Sequence, residues 1–113
     1  MRVRQTIETM EKQLHRRLTI TELAGRAGVS AAHLTRLFRE GTATSPGAYL
    51  HRLRMTRARL LLERTTLTVA EVMAQVGVAD RSHFARDFQR AHGISPSMLR
   101  DQQRMTVGRS ESP

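Results

Sequence analysis

Arg36 and Arg86 stand fifty residues apart in this 113-residue chain, each near the middle of a similar segment, "SAAHLTRLFRE" from Ser30 and "DRSHFARDFQR" from Asp80. A guanidinium is planar, permanently charged and carries its donors in a fixed fork. It can therefore pair with both acceptors of a guanine edge or with two oxygens of a phosphate. If each segment is a helix, a turn of about 100° per residue sorts its side chains into faces. With the inner face centred on Leu34, Leu37 and Phe38, the opposite side of the first segment holds Ala32, Arg36 and Arg39, with Thr35 on the flank. The second segment presents Ser82, Arg86 and Gln89 opposite Phe84 and Phe88, flanked by Ala85, and Arg81 sits in its first turn. The implied chemistry is hydrogen bonding to base edges in a major groove, with Arg36 and Arg86 as the leading candidates for guanine.

Other chemistries find less support. The chain has five histidines, but His33 and His83 fall at equivalent places in different segments, there is no cysteine, and no His-x-x-x-His pair exists. No metal site is expected from that spacing. No Ser/His/Asp set or glycine-rich phosphate loop stands in a strand–turn–helix context, so no catalytic residue, enzyme activity or cofactor is expected.

Each segment needs something to hold it out as a probe. Before the first lies "TITELAGRAG": Thr19 with Glu22 reads as a capping box, and Gly28 can take the left-handed backbone that ends a helix. Ser30 then supplies the oxygen that caps the next helix. The same order returns as Thr68, Glu71, Gly77 and Asp80. Thr68 minus Thr19 is 49, whereas Phe88 minus Phe38 is 50, so the second copy carries one extra residue in its turn. Each copy ends in Ser-Pro, at Ser45–Pro46 and Ser95–Pro96, a helix-start pair. Helix, tight glycine turn and second helix make a helix-turn-helix unit, and the chain holds two.

Between the units, Pro46 to about Arg64 reads as one long helix with Leu50, Leu53, Ala58, Leu61 and Leu62 as its apolar stripe. Residues 5–17 read as a short amphipathic helix through Ile7, Met10 and Leu14, and Met10, Met55, Met73 and Met98 as core fillers. The expected fold is therefore all-α, two helix-turn-helix subdomains joined by a long central helix. The expected divisions are 1–44 for the first helix and first unit, 45–64 for the connecting helix, 65–104 for the second unit and last helix, and 105–113 for a disordered tail. Recognition helices are placed at about 30–40 and 80–91.

Charge agrees with this reading. Lys and Arg number 19 against 10 acids, a formal charge of +9, and every basic residue of that set except Lys12 is arginine. Such a surplus favours polyanions. The N-terminus lacks the apolar core of a secretory signal and no run is long enough to span a membrane, so a cytoplasmic chain is expected, with no membrane partner.

The stretch "VAEVMAQVGVADRSHFARDFQRAHGISPSMLR", Val69 to Arg100, closely resembles the C-terminal signature of the AraC/XylS family of bacterial transcription regulators. "TITELAGRAGVSAAHLTRLFRE" resembles the family's first helix-turn-helix, and "YLHRLRMTRARLLLERT" its connecting helix. The resemblance covers roughly residues 5–100. It implies about seven helices, with two recognition helices entering successive major grooves of double-stranded DNA. By position it assigns base reading to Ala32, Thr35 and Arg36 in the first unit and to Arg81, Ser82, His83 and Arg86 in the second. Met73 and Val78 depart from the family's usual small alanine and aromatic; both remain apolar, so repacking is expected. Nothing in the chain matches the ligand-sensing or dimerising domain of larger regulators. It is thus expected to act as a monomer in the bacterial nucleoid, unless it is a fragment of a longer protein. The alternative is a protein-interaction module docking on RNA polymerase or a partner, with weak or non-specific DNA binding. That module would tolerate loss of Arg36 and Arg86.

Overall fold

The computed structural model describes residues 2–111, with side chains over 2–105. Among the described residues there are seven helices and no strand: α1 (Arg2–Lys12), α2 (Ile20–Ala27), α3 (Ala31–Thr42), α4 (Pro46–Arg64), α5 (Val69–Gln75), α6 (Arg81–His92) and α7 (Pro96–Glu111). The all-α expectation holds. The chain divides into two compact units, Met1–Arg54 and Met55–Pro113, with the division inside α4.

Local chemistry starts and stops these helices where the residue types require. The Thr19 hydroxyl accepts from the Glu22 N–H at 3.1 Å, and Ser30 accepts from the His33 N–H at 3.1 Å. Thr68 and Glu71 form a complete reciprocal box, at 3.1 and 2.8 Å, and Asp80 accepts from His83 N–H at 2.8 Å. Ser45 and Ser95 each accept an amide three residues on, and α4 and α7 open at Pro46 and Pro96. Gly28 and Gly77 both adopt left-handed backbone, φ +72° and +74°. Their turns repeat bond for bond: Val29 N–H reaches Ala24 O at 3.0 Å, and Val78 N–H reaches Met73 O at 3.0 Å. Carbonyls left open at the end of α2 and α5 are thereby satisfied.

Several sequence expectations differ from the structure. The first helix runs Arg2–Lys12 rather than 5–17. It ends because the Gln13 N–H is shared between Thr9 O and Met10 O, and the chain then turns through Arg16 N–H to Gln13 O. Leu14 and Leu18 remain buried from outside the helix. Met98 is no core filler: it is 59% exposed, while Leu99, one residue round the helix, is 6% exposed. At Thr19 the box is only half formed, because the Glu22 carboxylate turns to Arg26 at 3.2 Å and Arg16 at 3.7 Å. The tail placed at 105–113 begins within helix, since α7 extends to Glu111; side chains of 106–113 lie outside the described residues.

Each unit has its own core. In the first, Met10, Leu14, Leu18, Leu23, Leu34 and Phe38 pack with Leu50, and Tyr49 meets the Phe38 ring edge-on at 5.8 Å. In the second, Val72, Met73, Val76, Phe84 and Phe88 pack with Met55, Ala58, Leu62 and Leu99. Met73 and Val78, the two departures from the family pattern, both pack here, Met73 buried and Val78 partly so. Burial of side chains this size stabilises each by about 1.5–3 kcal/mol, which fixes α3 and α6 by their inner faces.

Candidate nucleic-acid interface

With Leu34 and Phe38 buried on α3, the helix turns Ala32, Arg36 and Arg39 to solvent. With Phe84 and Phe88 buried on α6, Arg81, Ser82, His83, Arg86 and Gln89 are exposed. Eight of the nine residues singled out from the sequence are thus fully available. The ninth, Thr35, is half-buried and donates its hydroxyl proton to Ala31 O at 3.0 Å. Its remaining offer to a ligand is a methyl group and an acceptor lone pair.

The cap at each helix start matters to this face. Ser30 and Asp80 take up one free amide each, which sets where the first exposed side chains project. The oxygen of Asp80 also brings a carboxylate to the start of α6, in favourable contact with the helix dipole.

The arginines of this chain differ in how they are used. Arg16, Arg26, Arg54, Arg59 and Arg100 are engaged within the protein. Among the described residues Arg36, Arg39, Arg81 and Arg86 have no hydrogen bond or ion pair within it. A free guanidinium on an exposed helix face keeps all its donors for an external acceptor. His83 is likewise free at its ring, its backbone N–H alone being used by Asp80.

Two arginine-to-loop contacts of structural importance escaped the sequence reading. Arg100 is 6% exposed and donates from both terminal nitrogens, to Thr65 O and Leu67 O. Arg54 donates to Arg16 O at 2.9 Å. Arg16 and Thr65 are equivalent in the 49-residue repeat, so in each unit an arginine of the trailing helix clips the loop that leads into the helix-turn-helix. Burial pushes both guanidinium groups below their ordinary range, and the charge of Arg104 pushes Arg100 further the same way. Repeat comparison could have found the Arg54 clip only through its target loop, because Arg100 aligns with Leu50, not with Arg54.

Residues 23–102 match the family model described as a helix-turn-helix domain. A crystal structure of an AraC-type transcriptional regulator from Chromobacterium violaceum superposes with a TM-score of 0.83 at 28% identity, covering 90% of this chain and 91% of that one. The chain belongs to the AraC/XylS helix-turn-helix family. This AraC-type chain is 36% identical over 94 residues to the HTH-type transcriptional regulator GlxA of Rhizobium meliloti, and 41% identical over 81 residues to Rv1931c of Mycobacterium tuberculosis. Those matches take in 83% and 72% of the chain but only 29% and 31% of the relatives' lengths. The DNA-binding domain of AdpA, a global transcriptional factor solved with a target DNA, superposes with a TM-score of 0.86 at 27% identity and 97% coverage of both chains. The family is one of transcription regulators, not of enzymes.

Proposed function

We propose that this AraC-type chain binds double-stranded DNA sequence-specifically and regulates transcription from the sites it reads. The carrying observation is the pair Arg36 and Arg86: same place in both repeats, exposed, and free of partners within the protein. In this reading α3 contributes Ala32, Thr35, Arg36 and Arg39, and α6 contributes Ser82, His83, Arg86 and Gln89, each helix to one of two successive major grooves. Arg81 belongs to the same exposed set at the start of α6. Arg36 and Arg86 pair with guanine edges, while the Ala32 methyl suits a thymine methyl. The DNA-bound AdpA domain, similar in fold over nearly its whole length, supports the reading.

Two reading helices on one chain are what a symmetric helix-turn-helix dimer needs two chains to supply. The reading therefore has one copy occupying one bipartite site in the nucleoid, its net charge drawing it to phosphates.

Selection of bound DNA from a random pool tests this. The expected product is a motif with two separated blocks of preference. On that motif Arg36→Ala and Arg86→Ala each weaken binding by about 1–3 kcal/mol, and each relaxes preference in a different block. If both variants bound all sequences as the wild type does, the chain would be a docking module for RNA polymerase or another protein instead. Equal binding to selected and random DNA would reduce it to charge-driven coating.

A further inference from the structure

Comparison of the two repeats exposes a difference that base reading does not use. The second unit contains a cleft of about 300 Å³ between the loop before α5, the start of α6 and the first turns of α7. Three arginines line it, Arg81 from α6 and Arg100 and Arg104 from α7, together with the hydroxyl-bearing Thr66, Thr68 and Ser97. Asp101 is the one carboxylate among its lining residues. In the first unit the places of Arg81 and Arg100 are taken by Ala31 and Leu50, both packed against the apolar core. The two repeats therefore place their cations differently at this corner, the first having Arg17 and Arg54 where the second has Thr66 and Arg104.

Its parts are arranged for an anion. Arg100 is buried and immobilised by the carbonyls of Thr65 and Leu67, so its charge is fixed at the cleft wall. Arg104 aligns with Arg54, the loop clip of the first unit. Because Arg100 performs that task here from one turn earlier, Arg104 is released and exposed. Arg104 lies close enough for its charge to disfavour that of Arg100, a repulsion that a bound anion would relieve. Arg81 points elsewhere than the reading residues: at 100° per residue it lies about 140° from Arg86 and about 100° from Ser82.

We propose that this cleft grips a phosphodiester of the DNA backbone through Arg81 and Arg104, and that Arg81 is a backbone-positioning residue and not a base reader. The proposal rests on the DNA-binding reading above. It commits to a backbone phosphate over a free one because Arg81 begins the same helix that exposes Ser82 and Arg86. A phosphate held there registers α6 against the duplex.

Arg81→Ala and Arg104→Ala test it, each checked for native helix content by circular dichroism. Arg100 is left intact because its loss would loosen the loop. Each variant is expected to weaken binding by about tenfold on selected and scrambled duplexes alike, and to lower the slope of log K against log salt by about 1. The selected motif stays the same. A neutral methylphosphonate scanned along the selected duplex should reveal one position where wild type loses affinity and the two variants lose nothing more. Relaxed preference at one base pair with an unchanged salt slope would return Arg81 to base reading and overturn the proposal. Variants that bind as tightly as wild type would remove the cleft from the interface while leaving the DNA-binding reading intact. A wild-type chain with no affinity for any duplex would sink both. Inorganic phosphate alone that stabilised the wild type, but not Arg104→Ala, with no change in DNA binding, would make this a free-phosphate site and overturn the backbone assignment.

Discussion

Ala43 closes α3 in the left-handed conformation, φ +62° and ψ +17°, the one non-glycine residue with positive φ among those described. Its counterpart fifty residues on, Gly93, closes α6 with φ +74° and ψ +7°. Both donate their N–H to the same carbonyl of the repeat, Arg39 O at 3.1 Å and Gln89 O at 2.8 Å. A β-carbon in this region costs roughly 1–2 kcal/mol, whereas glycine loses roughly 0.5–1 kcal/mol more chain freedom on folding. Ala43→Gly should therefore stabilise the chain by about 0.5–1 kcal/mol. Gly93→Ala should destabilise it by a similar amount, through backbone strain alone, because no atom stands within 4 Å of where the new β-carbon would sit. Urea unfolding at constant m separates a real stability change from a change in the unfolded state. Ala48→Gly in the first turn of α4 is the control, since there glycine should destabilise. Neither corner residue belongs to the reading face, so DNA affinity should stay unchanged. Destabilisation by Ala43→Gly, or indifference to Gly93→Ala, would refute the claim that conformational strain at these corners is what the two residues differ in.

The arginine clips predict an asymmetry between the units. Arg100→Ala orphans the carbonyls of the half-buried Thr65 and Leu67 and should cost about 1–3 kcal/mol in all, seen in urea unfolding; Arg54→Ala frees only Arg16 O and should cost less. Arg100→Lys cannot serve two carbonyls from a fork and should rescue Arg100→Ala only in part. The Thr68 box predicts a pH dependence. Hydrogen bonds from the Thr68 backbone N–H, then from its side chain, hold the Glu71 carboxyl below its ordinary value. A depressed carboxylate pKa gives stability that is present above the unfolded value, about 4.3, and lost as pH falls through the folded one. Thermal melts of wild type and Glu71→Gln should thus differ by a constant amount at neutral pH and converge under acid conditions; a gap that widened on acidification would reverse the assignment.

Much of the architecture was legible because it is written in neighbouring residues. A serine or aspartate with an amide three places on, and a glycine that must take positive φ, act within one turn, so both corners and the opening of α4 and α7 could be placed from residue type. Errors arose where a distant group competes. Glu22 should reach back to Thr19, but the Gln13 side chain gathers Arg16 and Arg26 at 2.7 and 3.1 Å, and those cations draw Glu22 to themselves. At α7 the error was one of rotation. Met98 and Leu99 are equally apolar, and only the packing of Leu99 with Phe88 and its neighbours decides which of the two turns inward.

Composition, which first suggested a polyanion partner, treats every arginine alike, and the structure shows why that is too coarse. Arg36 and Arg86 match across the repeat and are free, the pattern expected when both units do the same job on an outside ligand. Arg54 and Arg100 do one job from two different helical turns, so alignment of the repeats hides their kinship while the equivalent carbonyls of Arg16 and Thr65 reveal it. That displacement by one turn frees Arg104, and the exchange of Ala31 for Arg81 adds a second charge beside it. Burying a guanidinium in the place of Leu50 is costly, and at Arg100 the carbonyls of Thr65 and Leu67 offset that cost. The second unit carries that cost at Arg100 while exposing two further cations at the same cleft. The loop clip accounts for the buried charge, and the proposed phosphate grip for the two exposed cations beside it.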